Sequence, residues 1–155
     1  VMPTFYTNDW AGRIARDVNA AKASISISAL SLLLPTTTAR GPWPELWDSL
    51  ISARSRACVI TIYLPAPQPA HPATRQNATE AKRAHDIGMI VHLVPGPRLL
   101  HAKSFIIDDM ILWIGSGNLT AAACGPNHEI YARLPYPVLA ANATSLHRAL
   151  RMGNP

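Results

Sequence analysis

Charge and metal-ligating spacing are both scarce in this chain. Only 15% of its 155 residues are charged, so it carries no dense basic arm and no acidic tail. Cysteine is limited to Cys58 and Cys124. Two cysteines build no disulfide framework, and both are expected as free, buried thiols. Neither Cys-x-x-Cys nor His-Glu-x-x-His occurs, and no run of carboxylates suits a pair of magnesium ions. No metal and no other cofactor is therefore expected. No stretch reaches the length of a membrane-spanning helix, so a soluble protein is expected. No basic-then-apolar leader opens the chain. Val1 precedes Met2, which points to a start set by processing and leaves cytoplasm and periplasm both open.

What is present is enough for a proper core. Hydrophobic residues make up 48% of the chain and the mean hydropathy is +0.08. The length is that of a single domain, expected to span residues 1–155. Fourteen lysines and arginines against nine acids give a formal charge of +5, which favours polyanionic partners such as nucleic acid or an anionic membrane.

Asn8 and Asp9 read as the cap of a helix to about Ala21, with Ile14 and Val18 facing inward. Ser24 to Leu30 alternates like a strand. Thr36 to Pro44 reads as a loop and Pro44 to Arg54 as a helix. Cys58 to Leu64 reads as a buried strand, and the proline-rich Pro65 to Pro72 as irregular. Thr74 to Gly88 reads as a helix closed by Gly88, and Met89 to Val94 as a strand. Strands are also expected at Ser104–Ile107, at Met110–Ile114 (buried) and at Glu129–Leu134. A last helix is expected from Pro137 to Met152. This alternation predicts an α/β fold with a mixed sheet. Trp43 and Trp47 are expected to serve packing.

The densest chemistry lies between His101 and Glu129. On an extended strand residues i and i+2 share a face, so His101 and Lys103 reach one place and Ala102 points away. Asp108 and Asp109 read as a hairpin turn. The returning strand then brings Gly115, Ser116, Gly117 and Asn118 back beside Lys103. The glycines suit tight backbone and close approach to a ligand. Ser116 and Asn118 supply donors, and Leu119 to Ala123 reads as a helix start whose amides favour an anion. Imidazole, a fixed cation and neutral donors together suit a phosphodiester, whose oxygens must be neutralised before phosphorus is attacked. Arg98 is a further candidate phosphate contact. The remaining cations include Arg75, Lys82 and Arg83 on one helix, and Arg133, Arg148 and Arg151 after Glu129.

His-x-Lys, four residues, Asp, six residues and Gly-Ser-x-Asn resemble the signature of the phospholipase D superfamily. The resemblance implies an α-β-α sandwich. It implies that His101 is the nucleophile and forms a phosphohistidine, without metal. Lys103 and Asn118 would hold the non-bridging oxygens, with Ser116 in support. Asp108 belongs to the motif but would act mainly as structural support. Glu129 matches an acidic position hydrogen-bonded to the histidine, where a carboxylate fixes the ring's tautomer.

Superfamily enzymes use two such motifs, and this chain has one. None of His71, His85, His92, His128 and His147 is followed two residues later by lysine. The expectation is a C2 homodimer with the active site at or near the interface, where identical residues meet at the axis. The first functional expectation is a metal-independent, non-specific endonuclease acting on DNA, with RNA open. Single-motif members of this size resemble bacterial endonucleases. A phospholipase or phosphatidyltransferase acting on membrane lipid is the second reading. A non-catalytic nucleic-acid-binding module is the third.

Overall fold

A computed structural model describes residues 2–151. The elements are β1 (Thr4–Tyr6), α1 (Trp10–Ala20), β2 (Ser24–Ser28), α2 (Pro42–Ser55), β3 (Val59–Pro65), α3 (Asn77–Asp86), β4 (Ile90–Val94), β5 (Lys103–Ile107), β6 (Ile111–Gly115), α4 (Ala121–Cys124), β7 (Tyr131–Leu134) and α5 (Pro137–Arg151). The strands form one mixed sheet in the order β1-β7-β6-β5-β2-β3-β4. The neighbours β2, β3 and β4 run parallel, and the remaining pairs are antiparallel.

The alternation in β2 decides which side each helix covers. Ile25 and Ile27 enter the large core with Ile14 and Val18 of α1 and Leu46 and Leu50 of α2. Ser26 points the other way, and its hydroxyl hydrogen-bonds Nδ1 of His147 on α5 at 2.7 Å. Helices therefore lie on both faces, as an α-β-α sandwich requires. On the first face, Asp17 of α1 accepts from Trp113 Nε1 and from the Arg133 guanidinium, both at 2.7 Å. Those bonds clip the helix to β6 and β7.

The helix α5 crosses its face diagonally. Ala140 packs on Ile106 and Leu112, His147 sits over Ser26 and Ser104, and Leu150 reaches Tyr63, Val94 and Leu100. One corner of the sheet stays uncovered. Ser104 pairs with Ile114, Ile114 with Ala132 and Ala132 with Phe5, so all four share the α5 face. Beyond the helix, Phe5 and Ile114 are exposed, as is Ile130.

Several sequence expectations need correcting. Asp9 occupies the cap position of α1 but caps nothing; its carboxylate instead pairs with Arg13 one turn on. The helix expected from Thr74 breaks into a 3-10 turn at Pro72–Thr74 and then α3. There the Thr74 hydroxyl accepts from Gln68 N–H and donates to His71 O. The strand expected to be buried throughout from Met110 to Ile114 exposes both ends, because Met110 sits on the turn and Ile114 lies beyond the reach of α5. The helix after Leu119 is the single turn α4, capped by Thr120, which accepts from Ala123 N–H. Pro42 starts α2 two residues earlier than expected, at a position where proline's missing N–H costs nothing. Met152 lies outside the described residues. Trp43 and Trp47 are buried, and Cys58 and Cys124 are free and buried.

Candidate active site

The β5–β6 hairpin sets the frame. Asp108 and Asp109 both take left-handed backbone (φ 53° and 54°), and Met110 N–H bonds Ile107 O at 2.9 Å. This is a two-residue turn whose twist suits a hairpin. The turn lies at the far end of β5 from Lys103. There the Asp108 carboxylate accepts from the backbone N–H groups of Lys22, Ala23 and Ser24 at 2.8–2.9 Å. Burial alone would push its pKa up, but the N–H groups of Ser24, Lys22 and Ala23 and the Lys22 charge hold it below the usual carboxylate range. Asp108 therefore joins the hairpin to the start of β2 and stands away from the cluster around Lys103.

At the near end Lys103 pairs with Gly115. The lysine is 6% exposed. Its ammonium donates to His101 O at 2.7 Å and stands 3.0 Å from Nδ1 and 3.1 Å from Nε2 of the same residue. The ammonium is thus within hydrogen-bonding distance of both ring nitrogens. Burial pushes the Lys103 pKa down, against the pull of the Glu129 carboxylate, which raises it. His101 itself is exposed and precedes β5 rather than belonging to it.

Asn118 comes to the same place from the other strand. Its Oδ1 accepts Leu30 N–H at 3.2 Å. Ser28 pairs with Ser104, so Leu30, two residues further, is level with Ala102. The amide is thereby drawn across the ends of β5 and β2, and with its oxygen engaged its Nδ2 is left to donate.

Ser116 and Glu129 act on each other. The Ser116 hydroxyl donates to Glu129 Oε2 at 2.5 Å and accepts Ile130 N–H at 3.1 Å, while Asn127 Nδ2 donates to Glu129 Oε1 at 3.3 Å. Two expectations change. Ser116 positions Glu129 and does not offer a free donor to phosphate. Glu129 makes no hydrogen bond to His101; it acts on Lys103 through its charge.

The glycines also have a different reason from the one expected. Neither Gly115 nor Gly117 has a left-handed φ. A Cβ at Gly115 would stand 2.5 Å from Tyr131 Cγ, and one at Gly117 would stand 3.0 Å from Trp10 and 3.2 Å from Tyr131. Tyr131 stacks on Trp10 and donates to Gly117 O at 2.6 Å. The loop is thus pressed flat on two aromatic rings.

Asn77 and Glu80 escaped the sequence reading. Asn77 is fully buried at the start of α3. It donates to Leu30 O and Pro65 O and accepts Leu32 N–H. Glu80, 4% exposed, accepts Leu34 N–H at 3.0 Å and pairs with Arg83. Leu33 N–H and Leu119 N–H bond Leu119 O and Ser31 O, which ties the 30–34 loop to the Asn118 loop. Two polar residues on one helix face give a weak sequence signal, because the loop they hold is distant in the chain.

Arg98 is exposed and lines a cavity that His101 also lines. Lys82, Arg83 and Arg133 are engaged with Asp86, Glu80 and Asp17. No group of three or more His, Cys, Asp or Glu among the described residues is placed to hold a metal ion.

The arrangement has known counterparts. Residues 14–148 match the family model described as "Cardiolipin synthase, PLD-like domain". The fold is similar to Nuc from Salmonella typhimurium, a phospholipase D family member, with a TM-score of 0.73 and 20% identity over 95% of this chain and 93% of that one. It is similar to NucT from Helicobacter pylori, with a TM-score of 0.70 and 16% identity over 98% and 96% of the two chains. Phosphatidylserine synthase from Haemophilus influenzae matches with a TM-score of 0.66 and 15% identity, over 92% of this chain but 35% of the synthase. No curated protein matches the sequence.

Proposed function

Because the chain belongs to the phospholipase D-like phosphodiesterase superfamily, we propose that it is a metal-independent nuclease working through a phosphohistidine. The observation that carries this reading is the buried Lys103 ammonium within hydrogen-bonding distance of the His101 ring nitrogens, with Asn118 drawn to the same end of β5. A ring nitrogen of His101 attacks phosphorus while the bond to the leaving oxygen breaks. Lys103 and Asn118 Nδ2 hold the non-bridging oxygens, whose charge grows as the nucleophile approaches. Glu129, fixed by Ser116 and Asn127, balances the lysine charge. Asp108 is a support.

The leaving oxygen needs a proton, and a single half-site offers no second histidine in the required relation. A C2 dimer supplies it: His101 of the partner subunit donates this proton. It then takes one from water, whose oxygen attacks phosphorus and frees the first His101. Two further observations favour a second copy. The motif occurs once in the chain, and the uncovered corner with Ile114 and Ile130 adjoins Ser116 and Glu129. The two imidazoles must differ in protonation, so kcat/KM should follow a bell-shaped pH profile.

Nucleic acid is favoured as substrate by the net charge of +5 and by the near full-length likeness to Nuc and NucT. Phospholipid is the second reading, favoured by the description of the matching family model. Plasmid DNA and phospholipid vesicles, each incubated in EDTA beside a His101→Ala control, separate the two. DNA breakdown that needs His101 is expected. Headgroup release from vesicles with intact DNA would replace the first reading with the second. Activity lost in EDTA and restored by magnesium would refute the metal-independent mechanism. Full activity in a stable monomer would overturn the shared site.

A further inference from the structure

One loop and one helix end enclose a cavity of about 490 Å3 next to His101, a size common for small-ligand sites. The loop runs from Val94 to Ala102, and Leu150 of α5 completes the lining. Leu100, Leu150 and the rings of Pro95 and Pro97 make the walls mainly carbon. His101 lines the same space, so the cavity adjoins the residue assigned to attack phosphorus.

The surroundings are cationic. Arg98 is on the lining. Arg151 follows Leu150 on α5, while Arg148, one turn earlier, lines a separate cavity with Ser24, Thr61 and Asp109. Both act electrostatically on Tyr63, which packs with Leu100 and Leu150. Arg13, Arg83 and Arg133 are each in an ion pair. By contrast, Arg98, Arg148 and Arg151 make no hydrogen bond or ion pair among the described residues.

We propose that this cavity receives one unpaired nucleobase beside the scissile phosphate, with Arg98 and Arg151 taking the flanking phosphates. The inference rests on the nuclease reading above and adds a substrate feature to it. Apolar walls suit any base, because stacking makes little distinction among them. A base enters only after leaving its own stack, so the strand cleaved is single or frayed. An acyl chain would also find carbon walls. Two acyl chains, however, call for an extended groove rather than a space closed by one loop.

The test compares kcat/KM on two single-stranded oligonucleotides, one with bases throughout and one with tetrahydrofuran abasic sites in place of every base. Wild-type protein should prefer the first by about tenfold or more. Leu150→Trp, which fills the cavity, should reduce the preference for the normal strand over the abasic strand to near one. Equal wild-type rates on the two strands would overturn the cavity assignment and leave the nuclease reading intact. A preference that survives Leu150→Trp would do the same. Cleavage of neither strand, with phospholipid turnover that Leu150→Trp depresses, would give the cavity to an acyl chain and overturn both readings. The wild-type comparison decides even where the tryptophan variant fails to fold.

Discussion

Asp108 Oδ1 accepts the backbone N–H of Ala23 at 2.8 Å, which fastens the β5–β6 turn to the residue leading into β2. Oδ2 takes Lys22 N–H at 2.9 Å. In Asp108→Asn one of these oxygens becomes an NH2 group that faces an N–H donor. The expected loss is about 1–3 kcal/mol of stability, with kcat unchanged in the folded fraction. Thermal unfolding beside active-site titration measures both. A kcat loss of several hundredfold with unchanged stability would return Asp108 to the chemistry.

Lys103→Met should separate activity from stability in the opposite way. The ammonium is buried, and an apolar side chain of similar length avoids that desolvation. Stability should hold or rise. Activity should fall by about a hundredfold or more, the usual loss when one donor to a developing oxyanion is removed. Single-turnover rates together with a melting curve give the two numbers.

His147 makes stability depend on pH. Burial pushes its pKa down from 6.5 to about 4, and Ser26 and Ser104 bond its two ring nitrogens at 2.7 and 3.0 Å. The folded state therefore binds fewer protons than the unfolded one between these two values. Stability is complete above about pH 6.5 and declines as pH falls toward 4, by about 3 kcal/mol. Urea midpoints measured across pH 4–7 should show this slope, and His147→Gln should flatten it.

Gly115→Ala should not give a native protein. The added methyl would meet the Ile130 carbonyl and the Tyr131 ring, and both are fixed by strand pairing and by stacking on Trp10. Gly12, with nothing within 4 Å of a built Cβ, should accept alanine and gain helix propensity. Soluble yield and near-ultraviolet circular dichroism of the two variants make the comparison.

Arg148→Gln and Arg151→Gln should weaken nucleic-acid binding about equally across sequences. Each should reduce the salt slope of the binding constant by about one. Titration at a series of salt concentrations gives the slope. The same changes at Arg133, which Asp17 already holds, should alter stability more than slope.

The motif residues and the alternation of strands and helices were legible because their information is local. The spacing from His101 to Asn118 describes a hairpin, and period-two runs such as Ser24–Ser28 describe strands. The supporting shell was not legible for the opposite reason. Asn77 and Glu80 have meaning only once the 30–34 loop has passed over α3. The exposure of Ile114 follows from the diagonal of α5, which no window around Ile114 contains. Ser116 looked like a phosphate donor because the path of Glu129 toward it crosses a loop of irregular backbone. Of the cations seen in the sequence, the structure sorts those with carboxylate neighbours from those without, a distinction that depends on partners such as Asp17 far away in the chain.

Asn77 joins Leu30, Leu32 and Pro65 through one side chain, and Leu30 in turn holds Asn118. The orientation of the Asn118 amide is therefore settled during folding, before any substrate arrives. If Asn118 holds phosphate as proposed, binding has little ordering left to do at that position, and the entropy of aligning donor and phosphate is already accounted for in the folded chain. Loosening α3 by a residue far from phosphorus should appear as slower chemistry on substrate that still binds.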